Sequence, residues 1–304
     1  MKKILLSTIV AISIAGSGSA YASENSGETK NVSSGKISAI AVNHGKEEAT
    51  ARRDDVKIVT EAVDAVKLTH KVLKAIEENK RDEAVKNLED AIGKLEVLMS
   101  NPKAPALIPL SSSVVVDSFA GDARDAENAV ISSIALLEKK RVQDARILIS
   151  TLKDEIDFIT VNLPLSSYPS ALKLAAKFLH EKKDAEAAKV LATALNTFVE
   201  VDVVTPIGII QAQELVNAAK SVAKKDKKAA LSHLETARKA LARAEALGYT
   251  SESDTTYKML RSDIDALEKE IKGKNRSEKL FDSLLEKLEE FKEKAVKSIG
   301  GTKG

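Results

Sequence analysis

One motif, repeated four times, limits this chain more than any other feature: a charged residue, an alanine four positions later, and a leucine or isoleucine four after that. It occurs at Lys80, Ala84 and Leu88; at Arg141, Ala145 and Ile149; at Lys183, Ala187 and Leu191; and at Asp226, Ala230 and Leu234. Steps of four put all three residues on one stripe of a helix. Eight residues before each alanine stands Ile76, Leu137, Leu179 or Val222, the apolar end of a preceding helix. Each unit therefore reads as two antiparallel helices joined by a tight charged turn, with the small alanine letting the backbones approach. Four units predict an all-α fold of stacked helical hairpins, a tetratricopeptide-like array that lacks the tryptophan and Gly-Tyr signature of those repeats.

Composition supports helix nearly everywhere. Alanine, leucine, lysine and glutamate dominate, aromatics are 3% and tryptophan is absent. So few aromatic faces weaken any reading based on base or sugar stacking. With no cysteine, disulfides, zinc-thiolate sites and cysteine nucleophiles are excluded together.

Met1 to Ala22 has the form of a secretory signal. Lys2 and Lys3 precede an apolar stretch from Ile4 to Ala15, and Ala20-Tyr21-Ala22 supplies a small-residue cleavage site. Cleavage would leave a soluble periplasmic protein starting at Ser23, with no membrane insertion afterwards, since no other stretch reaches 18 consecutive apolar residues. Of the 47 basic residues the leader holds two, so the remainder carries 45 against 45 acidic ones. A neutral exported chain has no general attraction to nucleic acid, and none is expected as a partner.

Residues 23–45 are rich in serine, glycine and asparagine and read as a flexible arm. The hairpin domain is expected over residues 46–249. It opens with a long amphipathic segment from Glu47 that carries Val56, Val59, Val63, Val66, His70, Leu73 and Ile76 on one face. Asn101 to Ser113, with Pro102, Pro105 and Pro109, reads as an inserted loop. The β-branched runs within Phe158–Pro169 and Phe198–Pro206 read as short extended crossovers between hairpins. Thr205 is the expected N-cap of the following helix, with Pro206 at its first position. Residues 250–299 form a further, coiled-coil-like hairpin on Leu260, Ile264, Leu267 and Ile271 and on Phe281, Leu284, Leu288, Phe291 and Ala295, with a capping box at Asn275 and Glu278. Residues 300–304 read as a disordered tail.

The stretch Val161-Asn162-Leu163-Pro164-Leu165-Ser166-Ser167-Tyr168-Pro169-Ser170-Ala171-Leu172 resembles the YfdX family of exported bacterial helical proteins. Ala194-Leu195-Asn196-Thr197 and Arg243-Ala244-Glu245-Ala246-Leu247-Gly248-Tyr249 are similar to further segments of that family, so the resemblance covers about Asp55 to Tyr249. It implies a helical periplasmic protein without assigned catalysis, connected with stress or drug-resistance responses.

No catalytic set emerges. There is no G-x-S-x-G elbow, and His180-Glu181-Lys182-Lys183-Asp184 has an aspartate where a zinc-protease helix needs its second histidine. It reads instead as a helix end. His44, His70, His180 and His233 have no spacing that pairs them as ligands, so no metal and no cofactor is expected. The lysine run Lys220, Lys224, Lys225, Lys227 and Lys228 reads as a solvated turn. His70 and His233 are candidates for sensing acid. Leu163, Pro164, Tyr168 and Pro169, together with Thr205 and Pro206, are candidates for lining a groove that takes a small apolar molecule or a partner segment. The expected function is non-catalytic stress-related binding of small molecules or periplasmic proteins, with self-association through the open ends of the array. The alternatives are a scaffold for another envelope protein and an enzyme of unrecognised type.

Overall fold

The computed structural model of the chain describes residues 32–299 except 252 and 275. The expected leader, the first part of the expected arm, the tail and Asn275 of the expected capping box lie outside the described residues. Those described form eleven helices and three strands. The fold is mostly helical, with 68% helix and 11% strand, so "all-α" holds only approximately.

The second half of the expected arm is helix α1 (Ser34–Asp55). Its buried face is Ile37, Ala41, Gly45 and Ala49, spaced by four and mostly small, a stripe that carries too little hydrophobicity to be read as periodic. Tertiary packing holds it, as it does most helices of marginal propensity. A Cβ on Gly45 would stand 2.7 Å from Ile210 Cδ1 and 2.8 Å from Ile156 Cδ1, so glycine is what lets α1 reach its neighbours.

The hairpins exist as pairs: α2 (Thr60–Glu77) with α3 (Arg81–Met99), α4 (Ala123–Glu138) with α5 (Val142–Ser150), α6 (Tyr168–His180) with α7 (Asp184–Leu195), and α8 (Ile207–Val222) with α9 (Lys227–Ala246). The first three turns share one geometry. Asn79, Lys140 and Lys182 adopt left-handed φ of 59°, 58° and 62°. The following amide closes back on the last helical turn, as in Lys80 N–H to Ala75 O (2.8 Å), Arg141 to Leu136 (2.9 Å) and Lys183 to Phe178 (2.9 Å). This is the Schellman arrangement, which satisfies carbonyls that the helix end leaves open.

The segment expected to run unbroken from Glu47 is interrupted at residues 56–59, between α1 and α2. The buried face of α2 is Ala62, Ala65, Thr69, Val72 and Ala75, so Val63, Val66, Leu73 and Ile76 lie at its margin and His70 is exposed. Small residues win the interior position because α2 and α3 lie close together, while the larger side chains wrap around that contact.

The segments expected as a loop and as crossovers are strands. β1 (Leu107–Asp117), β2 (Glu155–Pro164) and β3 (Val199–Pro206) form an antiparallel sheet in the order β1-β2-β3. Each crossover would otherwise bury unpaired N–H and C=O groups, and mutual pairing removes that cost. Pro109 is tolerated because β1 is an edge strand, and the register shifts between Pro109 and Ser111.

The first three hairpins do not pack on the hairpin that follows them in sequence, as a simple stacked array requires. α3 packs on α6 and α2 on α7, and these four helices close one core with Ile108, Leu163 and Tyr168. α4 packs on α9, and the α8–α9 pair shares a second core with α10 (Tyr257–Lys272) and α11 (Glu278–Ile299). The expected C-terminal seam is buried in full, with Tyr257 edge-on to Phe291 at 4.6 Å, and it packs on the main body.

Candidate functional site

Strand alternation gathers three carboxylates around one lysine at the end of the sheet. Along β2, Ile156 and Phe158 pack towards α1 with Val114 and Val116, so Glu155 and Asp157 must take the other face. Asp117 on β1 is the cross-strand partner of Glu155. Lys153, just before β2, places Nζ 2.7 Å from Glu155, 3.3 Å from Asp157 and 3.7 Å from Asp117. Burial, and then the Glu155 charge, push the Asp157 carboxyl up to about 6, with Lys153 opposing. The Lys153 ammonium is held charged, chiefly by its hydrogen bond to Glu155.

The same segment is anchored from the end of α9. Arg243 Nε donates to Asp154 Oδ2 at 2.8 Å and its Nη2 to Gln211 Oε1 at 2.8 Å. The Asp154 amide donates to the Tyr249 hydroxyl at 2.9 Å, which in turn donates to Glu155 Oε2 at 2.7 Å. Burial raises the Asp154 carboxyl above its ordinary value even with the guanidinium beside it, so desolvation outweighs that charge. None of these acids stands out in the sequence by itself. The available signal is the period-two alternation of Glu155, Ile156, Asp157 and Phe158, which marks a strand with one charged face.

The residues expected to line one groove fall into two places. Leu163 and Tyr168 belong to the core of α2, α3, α6 and α7, and Pro164 and Pro169, next to them in the chain, are buried as well. Tyr168 donates to Thr69 Oγ1 at 3.0 Å, Thr69 donates to Ala65 O at 2.8 Å, and the Tyr168 ring lies 5.7 Å from that of Phe198. Thr205 and Pro206 pair with Ile156 and Glu155, at the charged end of the sheet. Leu163 is eight residues along β2 from Glu155, roughly 26 Å at about 3.3 Å per residue. The register thus places the two groups towards opposite ends of β2. Pro206 occupies the cap position and α8 starts at Ile207, one residue later than expected, with no side-chain cap from Thr205. A recess of about 440 Å³ does lie beside the first group, between α6 and α7, with Ala171, Leu174, Val190 and Thr193 among its walls.

Of the two histidines expected as acid sensors, only His233 is buried, at 5% exposure, with Nδ1 2.8 Å from Ser34 Oγ. Burial pulls its pKa below 6.5, against the opposing charge of Asp226. As pH falls through 6.5 the unfolded chain takes up the proton first, so the stability tied to the neutral imidazole declines from there towards the lower folded value. Urea unfolding of His233→Gln between pH 7.5 and 4.5 should show a flatter pH dependence than the parent.

His44 lies in α1, with Nδ1 3.9 Å from Glu214 Oε1, and His180 ends α6. The lysine run is matched by α11, where Lys220 meets Asp282 and Lys224 meets Glu278, each at 2.5 Å.

These features define a mostly α-helical protein built on paired hairpins and a small antiparallel sheet, in which no described helix is long and apolar enough to cross a membrane. Residues 65–204 match the family model described as YfdX protein. The match is narrower than the segment expected from the sequence. A solved structure of Salmonella Typhi YfdX aligns over 49% of this chain and 92% of its own length, at 18% identity and a TM-score of 0.33. No curated protein matches.

Proposed function

We propose that this is a non-catalytic periplasmic protein that self-associates through the α4–α5 hairpin and serves stress protection by binding. The carrying observation is the third position of the repeated motif. Leu88, Leu191 and Leu234 are fully buried there, whereas Ile149 is 46% exposed. Around it Ile131, Ile134, Leu137, Val142 and Ile147 are also exposed, up to 67%. So many exposed large apolar side chains on one hairpin are unusual on a monomer and are characteristic of contact surfaces. The leader supports the periplasm as its place, and the stress role is what the sequence resemblance to the YfdX family implies. Binding is favoured over catalysis because Lys153 is held charged, chiefly by Glu155, and so is a poor base or nucleophile.

Light scattering after size exclusion tests this on the mature chain from Ser23. The parent should run as an oligomer and Ile131→Glu/Ile147→Glu as a monomer with unchanged circular dichroism. A parent that is monomeric at tens of micromolar would dismiss the reading. A second reading rests on the largely apolar recess between α6 and α7, which suits a small apolar molecule. Leu174→Lys should weaken uptake of an apolar dye without changing the subunit number.

A further inference from the structure

We propose that the carboxylates of Asp117, Glu155 and Asp157 form a Ca²⁺ site at the end of the sheet, with the Lys153 ammonium as its tethered competitor. One oxygen from each residue lies within 4.8 Å of the others. Ca²⁺ binds oxygen at about 2.3–2.6 Å, and three oxygens even as far apart as this bound allows lie about 2.8 Å from their common centre, so side-chain adjustment of a few tenths of an ångström lets a single ion reach all three. Mg²⁺, at about 2.0–2.1 Å, requires a tighter set. The donors are hard carboxylate oxygens with no imidazole or thiolate among them, which disfavours zinc and copper.

A second observation is independent of the clustering. Asp157 is 2% exposed, its Oδ2 accepts from Lys153 at 3.3 Å, and its Oδ1 is buried without any hydrogen-bond donor. A fold leaves a buried carboxylate oxygen in that state only at a cost, and an ion or a bound water is the usual remedy. Charge points the same way. Three carboxylates converge on one ammonium, and Asp202 on β3 adds its repulsion to Asp157. Lys153 marks where a cation is stabilised, and its side chain is 45% exposed, so it can withdraw into solvent when a divalent ion enters.

Tyr249 offers a direct readout. Its hydroxyl lies 2.7 Å from Glu155 Oε2, and the chain has no tryptophan, so tyrosine excitation should sensitise Tb³⁺ bound in place of Ca²⁺. The mature chain should bind one Ca²⁺ by isothermal titration calorimetry and show Tb³⁺ emission that Ca²⁺ quenches. Asp157→Asn and Asp117→Asn should each weaken binding at least tenfold. Asp117 lies at the rim, so its variant keeps the test valid if the buried change disturbs folding. Lys153→Met should tighten binding several-fold. The proposal is overturned by no Ca²⁺ or Tb³⁺ binding to the parent, by affinity unchanged in both aspartate variants, or by binding confined to Lys153→Met, which would make lysine the permanent occupant.

Discussion

Tyr168→Ala is expected to lower the unfolding free energy by about 3–5 kcal/mol, the usual range for removing a fully buried aromatic ring. Tyr168 is wholly enclosed by the core of α2, α3, α6 and α7, so its loss leaves a cavity bounded by four helices that cannot all close in on it. Tyr168→Phe keeps the ring and loses only the bond to Thr69 Oγ1, which can still donate to Ala65 O. It should cost about 1 kcal/mol, the net worth of one such bond. Urea denaturation followed at 222 nm separates the two. A Tyr168→Ala chain as stable as its parent would mean that the ring is not the packing element described above. The contrast also tells structure from recognition, because a groove tyrosine would lose ligand and leave stability intact.

Arg243→Met should cost a similar amount, about 3–5 kcal/mol at neutral pH, because it leaves a buried carboxylate without its cation. Asp154 is almost completely enclosed and accepts from Arg243 at 2.8 Å, and its carboxyl already sits above the ordinary value. Without the guanidinium it rises further. The folded variant then holds a proton that the unfolded chain gives up, so its stability recovers as pH falls from neutrality towards 3.8, the ordinary carboxyl value. The deficit against the parent should therefore shrink at pH 5, and adding Asp154→Asn should remove most of it at pH 7. A deficit independent of pH would assign the loss to packing of the arginine stem.

Local geometry is legible from the residues. The Ala84, Ala145, Ala187 and Ala230 stripe marks four helix pairs, and all four alanines are fully buried. The C-terminal seam is equally plain, since large apolar residues recur there at helical spacing. What escapes depends on partners distant in sequence. Ser111, Ser112 and Ser113 interrupt the apolar character of β1, and its partner β2 lies beyond an entire hairpin, so nothing nearby announces a strand. Asp117 and Glu155 are 38 residues apart and meet only through that pairing. A search for ligands by histidine spacing cannot find them. α1 escapes for another reason: its buried stripe of Ala41, Gly45 and Ala49 is chosen for closeness and contributes little hydrophobicity.

The interleaving of the hairpins has a consequence for how the chain becomes native. In a linear solenoid each unit can settle on the one before it as it emerges. Here α2–α3 must wait for α6–α7, with β1, α4, α5 and β2 threaded between them. A polypeptide delivered amino end first would hold its earliest hairpin with one sticky side bare until roughly a hundred more residues had followed. Such a protein invites a holding chaperone during delivery, and it should tolerate neither loss nor duplication of a single unit.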